Sequence, residues 1–275
     1  MFALGVGLLL SACATDPTLD AARGLAQPLE GPQAYASIVR VADATAQAGD
    51  CATAVGLYRR ATETWPADAD VRAKLGTCLA NLGAYNEAIA AFQTAISLNP
   101  NHLEARRGLG NVYVALDRPE LALPQLEGAL LLDPNDPRTY NSYGVVLDMQ
   151  GDHRGAQSKY RTGLALDRGN ISLINNLGLS LALSGDFEEA IMLLKPVAAH
   201  PDAGAKTRQN LALIYGLAGD PEQAARMARI DLDEVSVRRN LAYYSTLRAL
   251  KDRARTSAIG ATGSREAQPA LAPAR

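Results

Sequence analysis

The sequence predicts an all-α protein, a solenoid of about six helix hairpins followed by a capping helix near the C-terminus. Aromatic residues make up only 5% of the 275 residues, which favours closely packed helices over a sheet of β-branched and aromatic side chains. A 34-residue period runs from Tyr35 to Arg238, and such a period is typical of stacked structural repeats. The net charge of −2 gives no electrostatic reason to expect a nucleic-acid partner.

An export signal is predicted at the N-terminus. The apolar run from Phe2 to Leu10 is shorter than the roughly 18 residues of a membrane-spanning helix, and it leads directly into Cys13. This arrangement resembles a bacterial lipoprotein signal. The resemblance implies removal of residues 1–12 and acylation of Cys13. The Ala14 that follows implies the periplasmic face of the outer membrane, with the lipid anchor as the protein's contact with the membrane. In the alternative interpretation, the apolar run is the first buried helix.

Two segments without a sustained apolar face flank the repeats. Residues 13–34 contain three prolines and are predicted to form the lipidated N-terminus and a flexible tether. Residues 251–275 end in SREAQPALAPAR and are predicted to be disordered. The solenoid is therefore expected between residues 35 and 250.

Several columns of the 34-residue alignment keep one register. Small residues recur at Ala54, Ala88, Ala122, Ala156, Ala190 and Ala224, and at Gly76, Gly110, Gly144 and Gly178. Bulky residues recur at Tyr58, Phe92, Leu126, Tyr160 and Leu194, and turn residues at Gly49, Gly83, Asp117, Gly151, Gly185 and Gly219. The small residues mark close approach of two helices, the bulky residues fill the adjoining space, and a turn glycine permits a positive φ. Each row is therefore predicted to be a helix hairpin.

Helix starts and irregularities also follow from single residues. N-caps of second helices are predicted at Asp50, Asp152, Asp186 and Asp220. Asp186 and Glu189 have the spacing of a capping box. Pro196 lies inside a second helix and should kink or shorten it, so the fifth hairpin, 171–204, is expected to be the least regular.

The pattern Lys74-Leu75-Gly76…Leu79…Gly83…Glu87-Ala88…Phe92…Ala95…Pro100 resembles a tetratricopeptide repeat. The resemblance implies a right-handed solenoid whose first helices line a concave groove. In this groove it places Arg107, Asn111, Arg138, Asn141, Asn175, Lys206 and Gln209, and it gives Asn176 and Asn210 a structural role. Amides can bind an extended backbone and cations favour carboxylates, which indicates binding of a partner segment. In the alternative interpretation, these are only solvated polar positions.

The two cysteines outside the signal are expected to meet. Cys51 begins the second helix of one hairpin, and Cys78 lies on the first helix of the next. Export would place both in an oxidising compartment, where a disulfide could add about 3 kcal/mol to the stability of the first hairpins. The alternative is two buried thiols that act as small apolar residues.

Nothing in the sequence indicates catalysis. The three histidines, His102, His153 and His200, fall in different columns and are expected to be solvated structural residues. No zinc-binding HExxH pattern, phosphate-binding loop or nucleophile elbow is present. No enzyme activity, metal or cofactor is predicted.

Three segments resemble TadD-like lipoproteins of tight-adherence (Flp) pilus assembly: 139–167, 175–191 and 237–250. The resemblance implies an accessory protein that binds partner proteins, such as the pilus secretin, during assembly. A general tetratricopeptide lipoprotein for envelope or outer-membrane protein assembly and a cytoplasmic co-chaperone remain alternatives.

The last predicted helix has an apolar face. Leu241, Tyr244, Leu247 and Leu250 recur at helical spacing, which predicts that they cover the end of the last hairpin. An outward-facing Tyr243 would in addition allow partner docking.

Overall fold

The computed structural model describes residues 31–250 and Ile259. This part of the chain contains thirteen α-helices and no strand. The first helices of six hairpins are α1 (Pro32–Gln47), α3 (Ala69–Asn81), α5 (Leu103–Ala115), α7 (Pro137–Met149), α9 (Ile171–Leu183) and α11 (Ala205–Ala218). The second helices are α2 (Cys51–Thr64), α4 (Tyr85–Leu98), α6 (Pro119–Leu132), α8 (His153–Leu166), α10 (Phe187–Ala198) and α12 (Pro221–Ala228), and α13 (Glu234–Ala249) follows them. Cys13 and the predicted signal lie outside the described residues.

The first helix starts slightly earlier than the repeat alignment predicts. Helix α1 begins at Pro32, three residues before Tyr35, with the proline in its first turn. Proline is well suited to this position because the backbone N–H groups of a first turn have no partner inside the helix. The remainder of the predicted tether and almost all of the predicted C-terminal tail lie outside the described residues.

The turns between the two helices of each hairpin confirm the predicted turn column. All six turn residues have φ between 56° and 90°, and Asp117, at 56°, is the one non-glycine residue with positive φ in the described part of the chain. Only glycine adopts this backbone conformation without a steric penalty from Cβ.

The small-residue columns are sites of close helix approach. All six alanines of the column that begins at Ala54 are fully buried. A Cβ added to Gly144 would lie 2.3 Å from the ring of Tyr160, and one added to Gly178 would lie 2.0 Å from a methyl group of Leu194. Within the four hairpins that carry a glycine in this column, the bulky side chain of the second helix therefore occupies the space that a side chain on the first helix would need.

Three of the four predicted aspartate caps are present. Asp50, Asp152 and Asp220 each accept a hydrogen bond from a backbone N–H in the first turn of the following helix. The capping box predicted at Asp186 is wrong. The Asp186 carboxylate instead accepts from the Ser184 hydroxyl at 2.7 Å, and Glu189 pairs with Arg161 of the preceding second helix.

The sixth hairpin, and not the fifth, is the least regular. Second helices have 14 residues in the first four hairpins, 12 in α10, which contains Pro196, and 8 in α12. The column that holds Ala61, Ala95 and Ala129 in earlier hairpins holds Asp231 in the sixth. The Asp231 carboxylate binds the guanidinium of Arg208, which accounts for the early end of α12 because a paired carboxylate cannot take the buried alanine position.

The first helices form one continuous layer. Successive first helices from α3 to α11 contact one another, whereas successive second helices are farther apart and contact mainly the first helices. The side on which successive helices lie closer together is the inner side of the curved array. The predicted groove therefore corresponds to the exposed face of the first helices.

Helix α13 covers the end of the array, as predicted. Tyr244 and Leu247 are buried, and Leu241 and Leu250 are half-buried against the same hydrophobic cluster. Tyr243 is half-buried against this cluster too, so it is not the outward-facing residue that partner docking would require.

Candidate partner-binding surface

The seven predicted groove residues differ in their exposure. All lie on first helices, from α5 to α11. Asn111, Arg138 and Lys206 are exposed, Asn141 and Gln209 are half-buried, and Arg107 and Asn175 are mostly or fully buried.

Asparagine pairs connect neighbouring first helices. The Asn176 amide donates to Asn141 Oδ1 at 2.9 Å, and the Asn210 amide donates to Asn175 Oδ1 at 3.1 Å. Each bond links one first helix to the next. The structural role predicted for Asn176 and Asn210 is therefore confirmed.

Asn175 is not available to a ligand, so its assignment to the groove is wrong. Its side chain is 3% exposed. Its Nδ2 donates to the Ile171 carbonyl at 2.9 Å and to Thr207 Oγ1 at 3.0 Å, while its Oδ1 accepts from Asn210. These three bonds use both amide hydrogens and the carbonyl oxygen, so Asn175 holds α9 to α11.

Arg107 is also unavailable to a ligand, because its side chain is bound within the wall of the groove. Its side chain is 11% exposed, and its guanidinium donates to Asp136, the N-cap of α7, whose side chain is 4% exposed. Thr139 Oγ1 donates to the same carboxylate at 2.7 Å. Burial opposes ionisation of Asp136, but the Thr139 hydrogen bond and the charge of Arg107 outweigh it and lower the pKa of Asp136.

The remaining residues form what we call the inner polar surface: Asn111, Arg138, Asn141, Lys206 and Gln209. Its two cations, Arg138 and Lys206, lie on α7 and α11, and Arg138 is 68% exposed. Its amides can donate to and accept from an extended backbone. The surface is thus suited to a peptide segment that carries a carboxylate.

A buried polar cluster around Asp148 was not predicted. The Asp148 carboxylate contacts His153 Nδ1 at 2.7 Å and accepts from Ser180 Oγ at 2.7 Å and from the Tyr160 hydroxyl at 2.9 Å. Ser180 Oγ donates to the Asp148 carboxylate and also lies 3.3 Å from the backbone carbonyl oxygen of His153, but it shows no bond to the His153 ring of the kind that joins nucleophile and base in a hydrolase. Burial and the charge of Asp148 raise the pKa of Tyr160. The cluster connects the fourth and fifth hairpins.

The histidines are structural, but only one is solvated. His200 is 66% exposed, whereas His102 and His153 are 7% and 12% exposed. His102 Nδ1 accepts from the Ala105 backbone N–H and caps α5, which explains its burial. Within the described residues, no group of three His, Cys, Asp or Glu side chains could hold a metal ion.

The predicted cysteine pair is brought together. The Sγ atoms of Cys51 and Cys78 lie 2.8 Å apart, both residues are buried, and both are thiols. Burial and the neighbouring Cys51 raise the pKa of Cys78 to about 12. Any reaction of the reduced, folded protein with thiolate reagents is therefore expected to be slow at neutral pH.

We predict that protein isolated from an oxidising compartment contains the Cys51–Cys78 bridge. Unfolded without reductant, it should show no reactive thiol from this pair, and after reduction it should show two in a thiol titration. The bridge should add about 3 kcal/mol to the free energy of unfolding in urea. A Cys51→Ser variant, which should show one free thiol in both states, is the control. Two free thiols before reduction would contradict the bridge.

In the described part of the chain, none of the helices is both long enough and apolar enough to cross a membrane.

Comparisons with known proteins agree with the geometry. Residues 42–103 and 82–142 match two tetratricopeptide repeat family models. A tetratricopeptide repeat protein from Parabacteroides merdae is similar in structure, with a TM-score of 0.65, 16% identity and coverage of 83% of this chain and 90% of that one. PilF of Pseudomonas aeruginosa has a TM-score of 0.61, 17% identity and coverage of 82% and 98%.

A third similar structure is residues 41-end of MamA from Desulfovibrio magneticus RS-1, with a TM-score of 0.53, 23% identity and coverage of 61% of this chain and 94% of that one. No curated protein sequence matches the chain. Tetratricopeptide repeats typically act as non-catalytic scaffolds that bind protein or peptide partners. Residues 42–142 are therefore tetratricopeptide repeats, and the chain has the fold of a right-handed tetratricopeptide-repeat solenoid.

Proposed function

We propose that the protein is a non-catalytic scaffold that holds an extended segment of a partner protein on the inner polar surface. The observation that carries the proposal is the exposure of Asn111, Arg138 and Lys206 on one layer of first helices, beside Arg107 and Asn175, which are bound within the wall. The bound residues keep the wall rigid, so little ordering entropy opposes binding.

The charges of the inner polar surface define the partner. Arg138 and Lys206 are 68 residues apart in sequence, two repeats of the 34-residue period. Their cationic groups favour a segment with acidic side chains, and the amides of Asn141 and Gln209 on the same two helices favour an exposed peptide backbone. We therefore expect an extended, acidic segment.

The test is a double charge reversal, Arg138→Glu with Lys206→Glu. It should reduce recovery of the partner from crosslinked cell envelopes about tenfold or more, because two attractive contacts become repulsive. Because Arg138 Nε also donates to the Asp136 carboxylate at 3.3 Å, the double reversal should lower the melting temperature modestly, and recovery is compared at a temperature at which both variants are folded. Arg154→Glu, an exposed residue on α8 of the same hairpin as Arg138, is the matched control and should leave recovery unchanged. Equal recovery with the double variant and the control would contradict the proposal.

We further propose that this scaffold is a lipoprotein of the outer membrane, anchored through Cys13, that serves tight-adherence pilus assembly with the secretin as a partner. The support is the resemblance of three sequence segments to TadD-like lipoproteins and the cysteine after the apolar run. A lipoprotein's several acyl chains anchor firmly, and the residues from Cys13 to the start of α1 at Pro32 are numerous enough to let the solenoid reach away from the lipid surface.

Two measurements separate this role from the alternatives. Radiolabelled palmitate should enter the wild-type protein and not a Cys13→Ser variant, and absence of label from both would favour a cytoplasmic co-chaperone. Deletion of the protein should lower the amount of assembled secretin in the outer membrane. Normal secretin with loss of other outer-membrane proteins would favour a general envelope scaffold.

A further inference from the structure

Ion pairs connect some second helices to the next second helix at one fixed repeat position. Arg59 of α2 pairs with Glu87 of α4, and Arg161 of α8 pairs with Glu189 of α10. In both pairs the residues are 28 apart and each side chain is about half exposed. An arginine at this position therefore marks a surface against which a following second helix lies.

Arg229, at the end of α12, occupies the same repeat position as Arg59 and Arg161. Residues 31–250 contain no seventh second helix for it to meet. Its guanidinium instead pairs with Glu234 at 2.6 Å. The hydrogen bond from Arg229, together with the charges of Arg229 and Arg238, lowers the pKa of Glu234. Arg226, one turn before Arg229, is exposed and has no ion pair among the described residues.

An open depression of about 580 Å³ lies at the same place. Its lining is Pro221, Glu222, Ala225, Arg226 and Arg229, which we call the end surface. Ala225 occupies the position that holds larger side chains in the earlier hairpins: Val55, Ile89, Leu123, Gln157 and Ile191. In the fourth hairpin this residue, Gln157, reaches the next hairpin and donates to Ser184 Oγ at 2.9 Å.

We propose that the end surface binds an amphipathic, acidic helix of a partner protein. A glutamate of that helix takes the place that Glu87 and Glu189 take in the interior of the array, and pairs with Arg229 and Arg226. An aliphatic side chain about one turn away on that helix enters the open depression that Pro221, Ala225 and Arg226 line. This surface is separate from the inner polar surface.

Charge argues against two other occupants. The chain's own residues 251–275 carry five Lys or Arg and two Asp or Glu, so they would bring like charge to Arg226 and Arg229. A second copy stacked end to end would present its first hairpin, whose helices α1 and α2 have no acidic residue in their first turns. In that copy the residue equivalent to Glu87 and Glu189 is Thr53, which cannot form an ion pair with Arg229.

The test uses a synthetic peptide of residues 85–98, YNEAIAAFQTAISL, which carries Glu87, with the full chain labelled for NMR. The peptide should shift backbone signals of α12, with a dissociation constant below about 1 mM. Arg229→Glu should weaken binding about tenfold, and a Glu87→Lys peptide should restore it on that variant. Arg60→Glu on α2 is exposed and should have no effect.

The proposal fails if the peptide does not bind, if the charge swap does not restore binding, or if the shifts fall only on first helices. The competing occupants are tested with a photo-crosslinking residue, benzoylphenylalanine, in place of Arg226. Crosslinks to the peptide support the proposal. Crosslinks to the chain's own residues 251–275, or to a second copy in a dimer, would overturn it.

Discussion

Replacement of Asp136 by alanine is expected to lower the free energy of unfolding by about 3–5 kcal/mol. The carboxylate is 4% exposed, and it accepts hydrogen bonds from Arg107 and from the Thr139 hydroxyl while it caps α7. Alanine would leave the guanidinium of Arg107, whose side chain is 11% exposed, without its counter-charge. The first turn of α7 would also lose its cap, and the third and fourth hairpins would separate more easily.

Urea unfolding at neutral pH measures this effect, and Arg161→Ala provides the contrast. Arg161 and Glu189 pair across two hairpins in the same way, but their side chains are 49% and 53% exposed. Solvent screens such a pair, so its loss should cost no more than about 1 kcal/mol. Equal losses in the two variants would show that burial does not govern the strength of the Asp136 pair.

The same pair should make stability depend on pH at the acidic end. The pKa of Asp136 is lower in the folded protein than its ordinary value, so the unfolded chain binds the proton more tightly. The stabilisation is therefore fully present above the ordinary aspartate pKa and is lost as pH falls through the lowered one. The stability difference between the wild type and Asp136→Ala should shrink over that acidic range.

The fold could be predicted from the sequence because a local steric requirement determines which residue type occupies each repeat position. Gly178 is small because Leu194 of the same hairpin lies over it, and Gly185 follows because the turn needs a positive φ. Both relationships act over fewer than 20 residues: the glycine lies against a bulky side chain of its own hairpin in four rows, and the positive φ recurs in all six turns. Each requirement therefore arises within one hairpin, and its recurrence every 34 residues makes it detectable in the sequence.

The groove was harder to predict because the residues of the next hairpin determine whether a polar side chain is exposed or buried. Asn141 and Asn175 occupy the same repeat position, yet Asn141 is half-buried and Asn175 is fully buried. The residue 32 positions after Asn175 is Thr207, which accepts its amide, whereas the equivalent residue after Asn141 is Leu173. A search for polar pairs 29 to 35 residues apart would have identified this contact and that of Arg107 with Asp136.

The short sixth hairpin had a similar signal. Asp231 occupies a repeat position that holds a small buried residue in the first four hairpins. The prediction of an irregular fifth hairpin rests on Pro196 and does not use this signal. A proline in the last turns of α10 shortens that helix by only two residues, because few backbone bonds remain beyond it. Asp231 ends α12 earlier. Its carboxylate cannot be buried unpaired at this alanine position, and it pairs with Arg208 instead.

Tyr160→Ala is expected to lower the free energy of unfolding by about 3–5 kcal/mol, because it removes a large side chain that is 1% exposed. The variant also removes the hydroxyl that donates to Asp148, which keeps its contacts with His153 and Ser180. The Tyr160 ring lies over Gly144 of the facing helix α7. Thermal or urea unfolding gives the loss for the single variant.

A double-mutant cycle with Gly144→Ala tests whether the ring is the reason for the glycine. In the wild type the added Cβ would meet the Tyr160 ring at 2.3 Å, so Gly144→Ala should cost about 1–3 kcal/mol. In the Tyr160→Ala background the methyl group enters the vacated space and alanine favours the helix, so the same change should stabilise by about 1 kcal/mol. Gly56→Ala, on α2 with no atom within 4 Å of the new Cβ, should stabilise in both backgrounds. If Gly144→Ala has the same cost with and without Tyr160, backbone conformation and not the ring determines the glycine column, and the steric basis of the 34-residue pattern is wrong.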